Sequence, residues 1–322
     1  MKIIDVWRRL VFNHIGQIKW QWRVGVFFVL YLAGSVVVVS LVQTWQQLAG
    51  SPTAIKDVPY VVEYLLRAVL LLLLSWSCLH ALDRRRFGSL GLRFHSSWKK
   101  EIAFGLVAGA MIPAFIWIFL WSMGVADVHV RTMDMAAAFS GFVLNAFWWL
   151  SAAAYYELLF RGYILQSMSE GLGKIAATIF VSFWYGAVQM QFGPGDTLSA
   201  VNYGMAGLMF SVIYFRTVSL WAPLGLHFAW NFVQGYIVSS PVMGMWSGSS
   251  VLVTSVHGAH GVNGNSFGID SGVAGALVIA VFLYYVTQSR QLVVTDEMRK
   301  IKYEALTTPF IEVAGSEEDS SK

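Results

Sequence analysis

The stretch YYELLFRGYILQ, residues 155–166, places a glutamate and an arginine inside an otherwise apolar helical segment. An ionisable side chain at membrane depth costs roughly 2.5–3.5 kcal/mol on insertion scales, so such a residue usually has a partner or a function. Glu157 and Arg161 are four residues apart, which puts both side chains on one face of a helix. The spacing alone therefore predicts a structural ion pair, and the rest of the chain decides whether the pair has another role.

The composition predicts an all-α polytopic integral membrane protein. The chain has 322 residues, of which 57% are hydrophobic and only 12% charged, whereas a soluble domain usually carries about 25% charged residues. A single cysteine, Cys78, excludes an intrachain disulfide. The net charge of +4 is explained by membrane orientation, so we expect membrane lipids and no nucleic acid as partners.

Apolar runs long enough to cross about 30 Å of hydrocarbon predict about eight transmembrane helices. They lie near residues 22–43, 60–82, 102–124, 136–168, 174–191, 198–215, 220–240 and 272–288. Lysine and arginine cluster before the first run, between the second and third, and after the eighth. Because basic residues accumulate on the cytoplasmic side, both termini should be cytoplasmic, most simply in a bacterial cytoplasmic membrane.

The same pattern divides the chain into six segments. These are a basic interfacial segment (1–23), two peripheral transmembrane helices (24–82), a helical core (83–240), a Gly/Ser-rich external loop (241–271), a last transmembrane helix (272–288) and a cytoplasmic tail (289–322). The acidic, serine-rich end of the tail is expected to be disordered. His257 and His260 in the external loop raise the alternative of a metal site, but two histidines without a third ligand are more typical of solvated residues. We therefore expect no metal and no cofactor.

Further polar residues lie inside the predicted spans. Glu63 and Arg67 repeat the four-residue spacing, and we interpret them as a structural ion pair facing the bundle. A tight turn centred on Leu172 folds the next helix back, so Tyr156 and Gln189 should lie at about the same depth.

One helix further along the chain, His227 and Asn231 are again four residues apart. They should lie roughly 10–16 Å inside the bilayer, at 1.5 Å per residue. The sequence thus predicts a polar layer around an intramembrane cavity.

The order of these residues resembles the CAAX-protease and bacteriocin-processing (CPBP, or Abi) family of intramembrane endopeptidases, which includes the type II CAAX prenyl proteases. The corresponding motifs are YELLFRG (156–162), YGAVQ (185–189) and HFAWN (227–231), preceded by a basic loop that leads into a glycine-rich span (87–109). The resemblance covers about residues 83–235 and implies a CPBP-like helical core. It also implies an active site at these motifs.

In that family the first glutamate and the second-motif histidine are understood to activate water, while the third-motif histidine and asparagine stabilise the oxyanion. By resemblance this chain retains Glu157, Arg161, His227 and Asn231 at the motif positions, but Tyr156 and Gln189 replace the water-activating residues. A phenol with a pKa near 10 is a poor proton acceptor at pH 7, and an amide does not titrate. Loss of a general base typically costs about 10²–10⁴ in rate.

Three hypotheses follow. The first is a proteolytically inactive or impaired CPBP-like protein that binds or scaffolds a membrane protein, a peptide or a lipid. The alternative is an active endopeptidase that processes a membrane-tethered substrate with Glu157 as an altered base. A transporter or channel component is the third, suggested only by Glu63 and Arg67; no inverted repeat or run of broken helices supports it.

Overall fold

The computed structural model describes residues 9–13, 16–48, 58–192 and 196–307, and it is 76% helical. The predicted all-α membrane class is confirmed. The helices are α1 (Trp20–Leu48), α2 (Val58–Ala81), α3 (Trp98–Ser122), α4 (Met135–Glu157), α5 (Leu165–Leu172), α6 (Lys174–Gln189), α7 (Thr197–Thr217), α8 (Trp221–Phe232), α9 (His260–Asn263), α10 (Val273–Gln288) and α11 (Asp296–Thr307). Residues 1–8, 14, 15 and 308–322 of the predicted interfacial segment and tail lie outside the described residues.

Helices occupy all eight places where the sequence predicts spans. Five are long and apolar enough to cross a membrane by length and composition: α1, α2, α3, α7 and the continuous run Met135–Leu172. The other three are shorter, since α6 and α10 have 16 residues each and α8 has 12 before a π-helical extension of 5. The number of spans stays a prediction.

Close backbone contact between α3 and α8 fixes the helix that carries His227. A Cβ atom at Gly105 would lie 2.2 Å from the Ala222 carbonyl oxygen, and one at Gly109 would lie 2.2 Å from that of Leu226. Two glycines four residues apart form a flat surface on which another membrane helix can pack closely. The glycine-rich span seen in the sequence is therefore the surface on which α8 rests.

The helix that contains the opening stretch is not regular. After α4 ends at Glu157, residues Leu158–Ile164 form a π-helical turn, and Gly162 within it has a non-helical ψ of −111°. π-helical turns inside longer helices are rare and occur frequently at functional sites. The π-helical turn begins between Glu157 and Arg161, and the spacing of the motif does not predict it.

The predicted tight turn after this run is present. α5 ends at Leu172 and α6 begins at Lys174, and Gly173 between them adopts a φ of +79°, in the region that favours glycine. α6 then packs on α7, where a Cβ at Gly186 would lie 2.5 Å from the Ala200 carbonyl oxygen. The turn and this contact bring α4, α6 and α7 around one buried layer.

A buried ionic cluster ties α1 to this core. Arg23 bonds to Asp83 and lies 2.6 Å from Glu170, and Arg85 forms a second short bond to Glu170. Because two cations meet two anions, the cluster is neutral. It links the two peripheral helices to the end of α5.

The external loop has more structure than its composition predicts. It contains β2 (Leu252–Val256), which pairs antiparallel with β1 (Ala126–Val130) in the register Ala126 to Val256. A 3₁₀ turn, Ile269–Ser271, then packs against α3, α7 and α10. The loop thus covers the ends of the helices that carry the candidate site.

Candidate functional site

Glu157 and His227 form the shortest polar contact of the candidate site. The Nδ1 atom of His227 lies 2.7 Å from Oε1 of Glu157, and both residues are at most 2% exposed. An ionised carboxylate can only accept a hydrogen bond, so the ring proton sits on Nδ1 and donates to Glu157. This pairing leaves Nε2 of a neutral imidazole as a proton acceptor.

Arg161 lies beside this pair but is more distant from Glu157 than the four-residue spacing suggests. Its Nη1 atom is 3.4 Å from Glu157 Oε1, while Nη2 donates to the Gly207 carbonyl oxygen at 2.9 Å. The guanidinium also lies over the rings of Tyr185 at 4.6 Å and Phe210 at 5.0 Å. Arg161 is therefore held mainly by α6 and α7, and Glu157 has His227 as its nearer partner.

Tyr156 fills the space beside the imidazole of His227. The two rings stack with centroids 5.7 Å apart, and Phe210 also stacks on the imidazole, with centroids 4.9 Å apart. Tyr156 is fully buried, and its ring also contacts Tyr64 and Tyr185. Where the family resemblance implies a water-activating glutamate, this chain has an aromatic stack.

Gln189 and Asn231 bring further polar atoms into the layer. Gln189 is 0% exposed, and neither its amide nitrogen nor its amide oxygen has a hydrogen-bond partner among the described residues. The same holds for Nδ2 of Asn231 and Oε2 of Glu157. Buried polar atoms are normally paired with protein, water or ligand.

The six predicted site residues thus lie in one buried layer, each at most 4% exposed. Aromatic rings occupy the space between them, so the predicted polar cavity is a packed layer in this structure. Glu63 and Arg67 do not join it. They pair with each other at 2.8 Å on α2, and Arg67 lies over the ring of Tyr155.

The histidine predicted to be solvated in the external loop is exposed. His257 Nε2 lies 2.7 Å from Oδ2 of Asp127, and both side chains are more than half exposed. The side chain of His260 lies outside the described set. In the part of the chain that the structure describes, no three His, Cys, Asp or Glu residues gather as a metal site would require.

Asp270, which no sequence motif indicates, lies next to the site layer. Its carboxylate is 2% exposed and accepts hydrogen bonds from Gln234 Nε2 at 2.9 Å and Trp230 Nε1 at 3.2 Å. Burial raises the pKa of Asp270 from 3.8 to about 6, although the bond from Gln234 opposes this. A lone aspartate in a Gly/Ser-rich loop carries no pattern that predicts burial.

Two residues near the outer end of α7 take part in holding this loop. Asn202 donates to the carbonyl oxygens of Asp270 and Gly272. Tyr203 lies 3.3 Å from the Asp270 carboxylate. The external loop is therefore fastened to α7 and α8 by buried hydrogen bonds.

Chemically, the layer combines a carboxylate–imidazole pair, a guanidinium and unpaired amide groups. The pair can accept a proton, and the guanidinium and amides can hydrogen-bond to or stabilise an oxygen-rich group. The layer lacks the second carboxylate and second imidazole that the family resemblance implies at positions 156 and 189. It retains one candidate base next to the guanidinium and the amides.

Comparison with known proteins supports the resemblance. Residues 138–233 match a family model described as type II CAAX prenyl endopeptidase Rce1-like, which confirms the resemblance for a segment that contains all six predicted site residues. No curated protein matches the chain. No solved structure matches it either.

Proposed function

We propose that this protein is a CAAX-protease-like membrane protein with impaired proteolysis, which uses its buried polar layer to bind a membrane protein, a peptide or a lipid. The observation that carries the proposal is the stack of Tyr156 on His227, with centroids 5.7 Å apart. An attacking water needs a base at this point and room beside the imidazole, and the phenol ring provides neither.

The unpaired amide atoms of Gln189 and Asn231 support a binding role. A buried amide without a partner costs free energy, and a partner that supplies a peptide amide or carboxylate would recover it. Recognition by such groups needs no titrating residue. A protein that only binds its partner needs hydrogen-bond donors but no water-activating residues. This chain has kept the donors and lost the water-activating residues, as a binding role predicts.

A gain-of-function experiment tests the impairment. Purified wild type and the double variant Tyr156→Glu/Gln189→His are incubated in proteoliposomes with a farnesylated CAAX peptide. We expect no cleavage by wild type above the protein-free rate, and an increase of about 10²–10⁴-fold for the double variant, the contribution typical of a general base.

The matched control is Tyr156→Gln/Gln189→Met, which makes similar changes in volume without adding a titrating group. Thermal unfolding in detergent identifies any variant that fails to fold. Cleavage by wild type that Glu157→Gln abolishes would contradict the proposed impairment.

Co-purification from native membranes with mass spectrometry tests the binding role. We expect a protein or lipid to be retained by wild type and lost from Gln189→Leu, which removes the buried amide but keeps a side chain of similar size. Phe183→Leu is the control, because Phe183 lies on the same helix and is 76% exposed. Equal recovery of the partner with both variants would show that it does not bind through the polar layer.

The second candidate is an active intramembrane endopeptidase in which Glu157 and His227 act as an altered base. The 2.7 Å contact between their polar atoms favours it, because a carboxylate that orients an imidazole raises the ability of that imidazole to accept a proton. Its test is an uncleaved membrane-tethered substrate that accumulates in a deletion strain. Rescue by wild type but not by His227→Ala would support this candidate, and equal rescue would count against it.

We further propose that both termini are cytoplasmic, in a bacterial cytoplasmic membrane. The basic residues Arg84, Arg85 and Arg86 follow α2, whereas the external loop contains no lysine or arginine. Reporter fusions after residue 289 and within residues 258–264 distinguish the two sides. A periplasmic signal from the first fusion would overturn the orientation.

A further inference from the structure

A cleft between α3 and α10 lies away from the polar layer. Its volume is about 1020 Å³. Its walls are formed largely by apolar side chains of the two helices, among them Phe104, Met111 and Phe282. From residue 101 to residue 115 the cleft follows α3 for about 21 Å at 1.5 Å per residue. Such a length and lining suit a hydrocarbon chain.

Polar groups line only one end of this cleft. Lys100 and Glu101 stand in the first turn of α3, and Gln291 follows α10. The charge distribution predicts that this end is cytoplasmic. An apolar cleft with a polar end has the shape of a site for a membrane amphiphile with its headgroup at the interface.

Glu101 indicates which headgroup fits. The carboxylate is 4% exposed, and neither of its oxygens makes a hydrogen bond to a described residue. His95 Nε2 lies 3.3 Å from Oε2 without the alignment of a hydrogen bond. Burial raises the pKa of Glu101 to about 7, and the nearby Ser219 hydroxyl opposes this. An ammonium group placed against the carboxyl would favour its ionised form. Burial lowers the pKa of His95, so this imidazole does not supply a cation.

Lys100 complements this carboxylate. It is exposed next to Glu101 and forms no salt bridge with the residues that the structure describes. A headgroup that combines a primary ammonium with a phosphate would place the ammonium at Glu101 and the phosphate at Lys100. A choline headgroup has no N–H donor for the carboxylate, and a glycerol headgroup has no positive charge.

We propose that this cleft binds a phospholipid with a primary amine in its headgroup, of the phosphatidylethanolamine type. One acyl chain lies along α3 and α10, the ammonium donates to Glu101, and the phosphate contacts Lys100. The site is independent of the function proposed for the polar layer. It uses none of the residues of that layer.

Native mass spectrometry of the detergent-solubilised protein tests the proposal with dioleoyl phosphatidylethanolamine, phosphatidylcholine and phosphatidylglycerol. We expect the ethanolamine lipid to bind wild type about tenfold more tightly than the choline lipid. We expect Glu101→Gln to remove that preference, because a hydrogen bond between charged groups is lost. Lys99→Met is the control for charge: Lys99 is exposed and does not line the cleft.

A second pair of variants tests the location. Val107→Trp fills the cleft from its wall and should lower binding of all three lipids severalfold, whereas Ile118→Trp changes an exposed position of the same helix outside the cleft and should not. Thermal unfolding verifies that each variant folds. Equal binding of the three lipids to wild type, or binding unchanged by both Glu101→Gln and Val107→Trp, would overturn the proposal.

Discussion

Glu63–Arg67 and Glu157–Arg161 have the same residue types at the same spacing, yet the structure treats them differently. On α2, Arg67 Nη2 lies 2.8 Å from Glu63 Oε1, and the two side chains are 18% and 31% exposed. In the layer, Arg161 Nη1 is 3.4 Å from Glu157 Oε1, and the side chains are 0% and 1% exposed. In the first pair the two charges are each other's nearest partners, whereas in the second pair each charge has a nearer partner on another helix.

The difference lies in what the neighbouring helices offer. α8 brings His227 to Glu157, and α7 brings the Gly207 carbonyl to Arg161. The π-helical turn after Glu157 further alters the local geometry. Four-residue spacing thus establishes that two charges can meet, and the surrounding helices determine whether they do.

Replacing the arginine of each pair should give the largest difference in the free energy of unfolding between the two pairs. Arg161→Leu leaves the buried Glu157 without its cation and the Gly207 carbonyl without its donor, and it should lower the free energy of unfolding by about 3–5 kcal/mol. Arg67→Leu acts on a partly exposed pair and should cost about 1 kcal/mol or less. Reversible unfolding in mixed micelles gives both values, and equal losses would show that the two pairs have the same role.

Much of the fold could be predicted from the sequence, because membrane helices need long apolar runs and tight turns need glycine. The turn at Gly173 and the helices at all eight predicted places follow from these rules. The β1–β2 pair did not, since strands of five residues in a polar loop carry a weak alternating pattern. The number of spans depends on helix length across a bilayer, and α6 and α10, with 16 residues each, are shorter than the roughly 17–25 residues that a spanning helix needs.

For the site, the sequence indicated six side chains, and the structure buries each of them, at most 4% exposed. The order of the motifs alone indicates Tyr156, Glu157, Gln189 and His227. The sequence could not identify the nearer partner of Glu157, because a contact across 70 residues depends on how α4 and α8 pack. Asp270 was missed for the same reason, since its burial depends on contacts with Trp230 and Gln234.

Asp270 extends the comparison to a buried carboxylate that hydrogen-bonds only to neutral groups among the described residues. Its pKa is raised from 3.8 to about 6 by burial, so between these values the folded protein binds more protons than the unfolded chain. The free energy of unfolding should therefore fall as pH rises through this window. The Asp270 carboxyl should contribute about 3 kcal/mol to the free energy of unfolding below pH 3.8. This contribution should be lost above about pH 6.

Unfolding titrations at intervals from pH 4 to pH 7 measure this slope. Asp270→Asn keeps the shape and should abolish the part of the slope that belongs to this carboxyl. Asp296→Asn is the control, because Asp296 has an exposed side chain on α11. If the slope of the free energy of unfolding against pH is unchanged in Asp270→Asn, other groups cause the pH dependence.

The smallest effect should come from neutralising the glutamates. Glu157→Gln keeps an oxygen that can accept from His227 but leaves Arg161 without a counter-charge, so the free energy of unfolding should fall by about 1–2 kcal/mol. Glu63→Gln should cost a few tenths of a kcal/mol, because Arg67 is partly exposed and water can replace the lost contact. Adding His227→Gln to Glu157→Gln completes a double-mutant cycle.

In that cycle a coupling energy of about 1 kcal/mol or more between Glu157 and His227 is expected from their 2.7 Å contact. The cycle between Glu157 and Arg161, at 3.4 Å, should give a smaller value. The reverse order would mean that Arg161 is the main partner of Glu157 after all. The layer would then contain a structural ion pair like Glu63–Arg67 on α2, and Glu157 would not be free to act with His227.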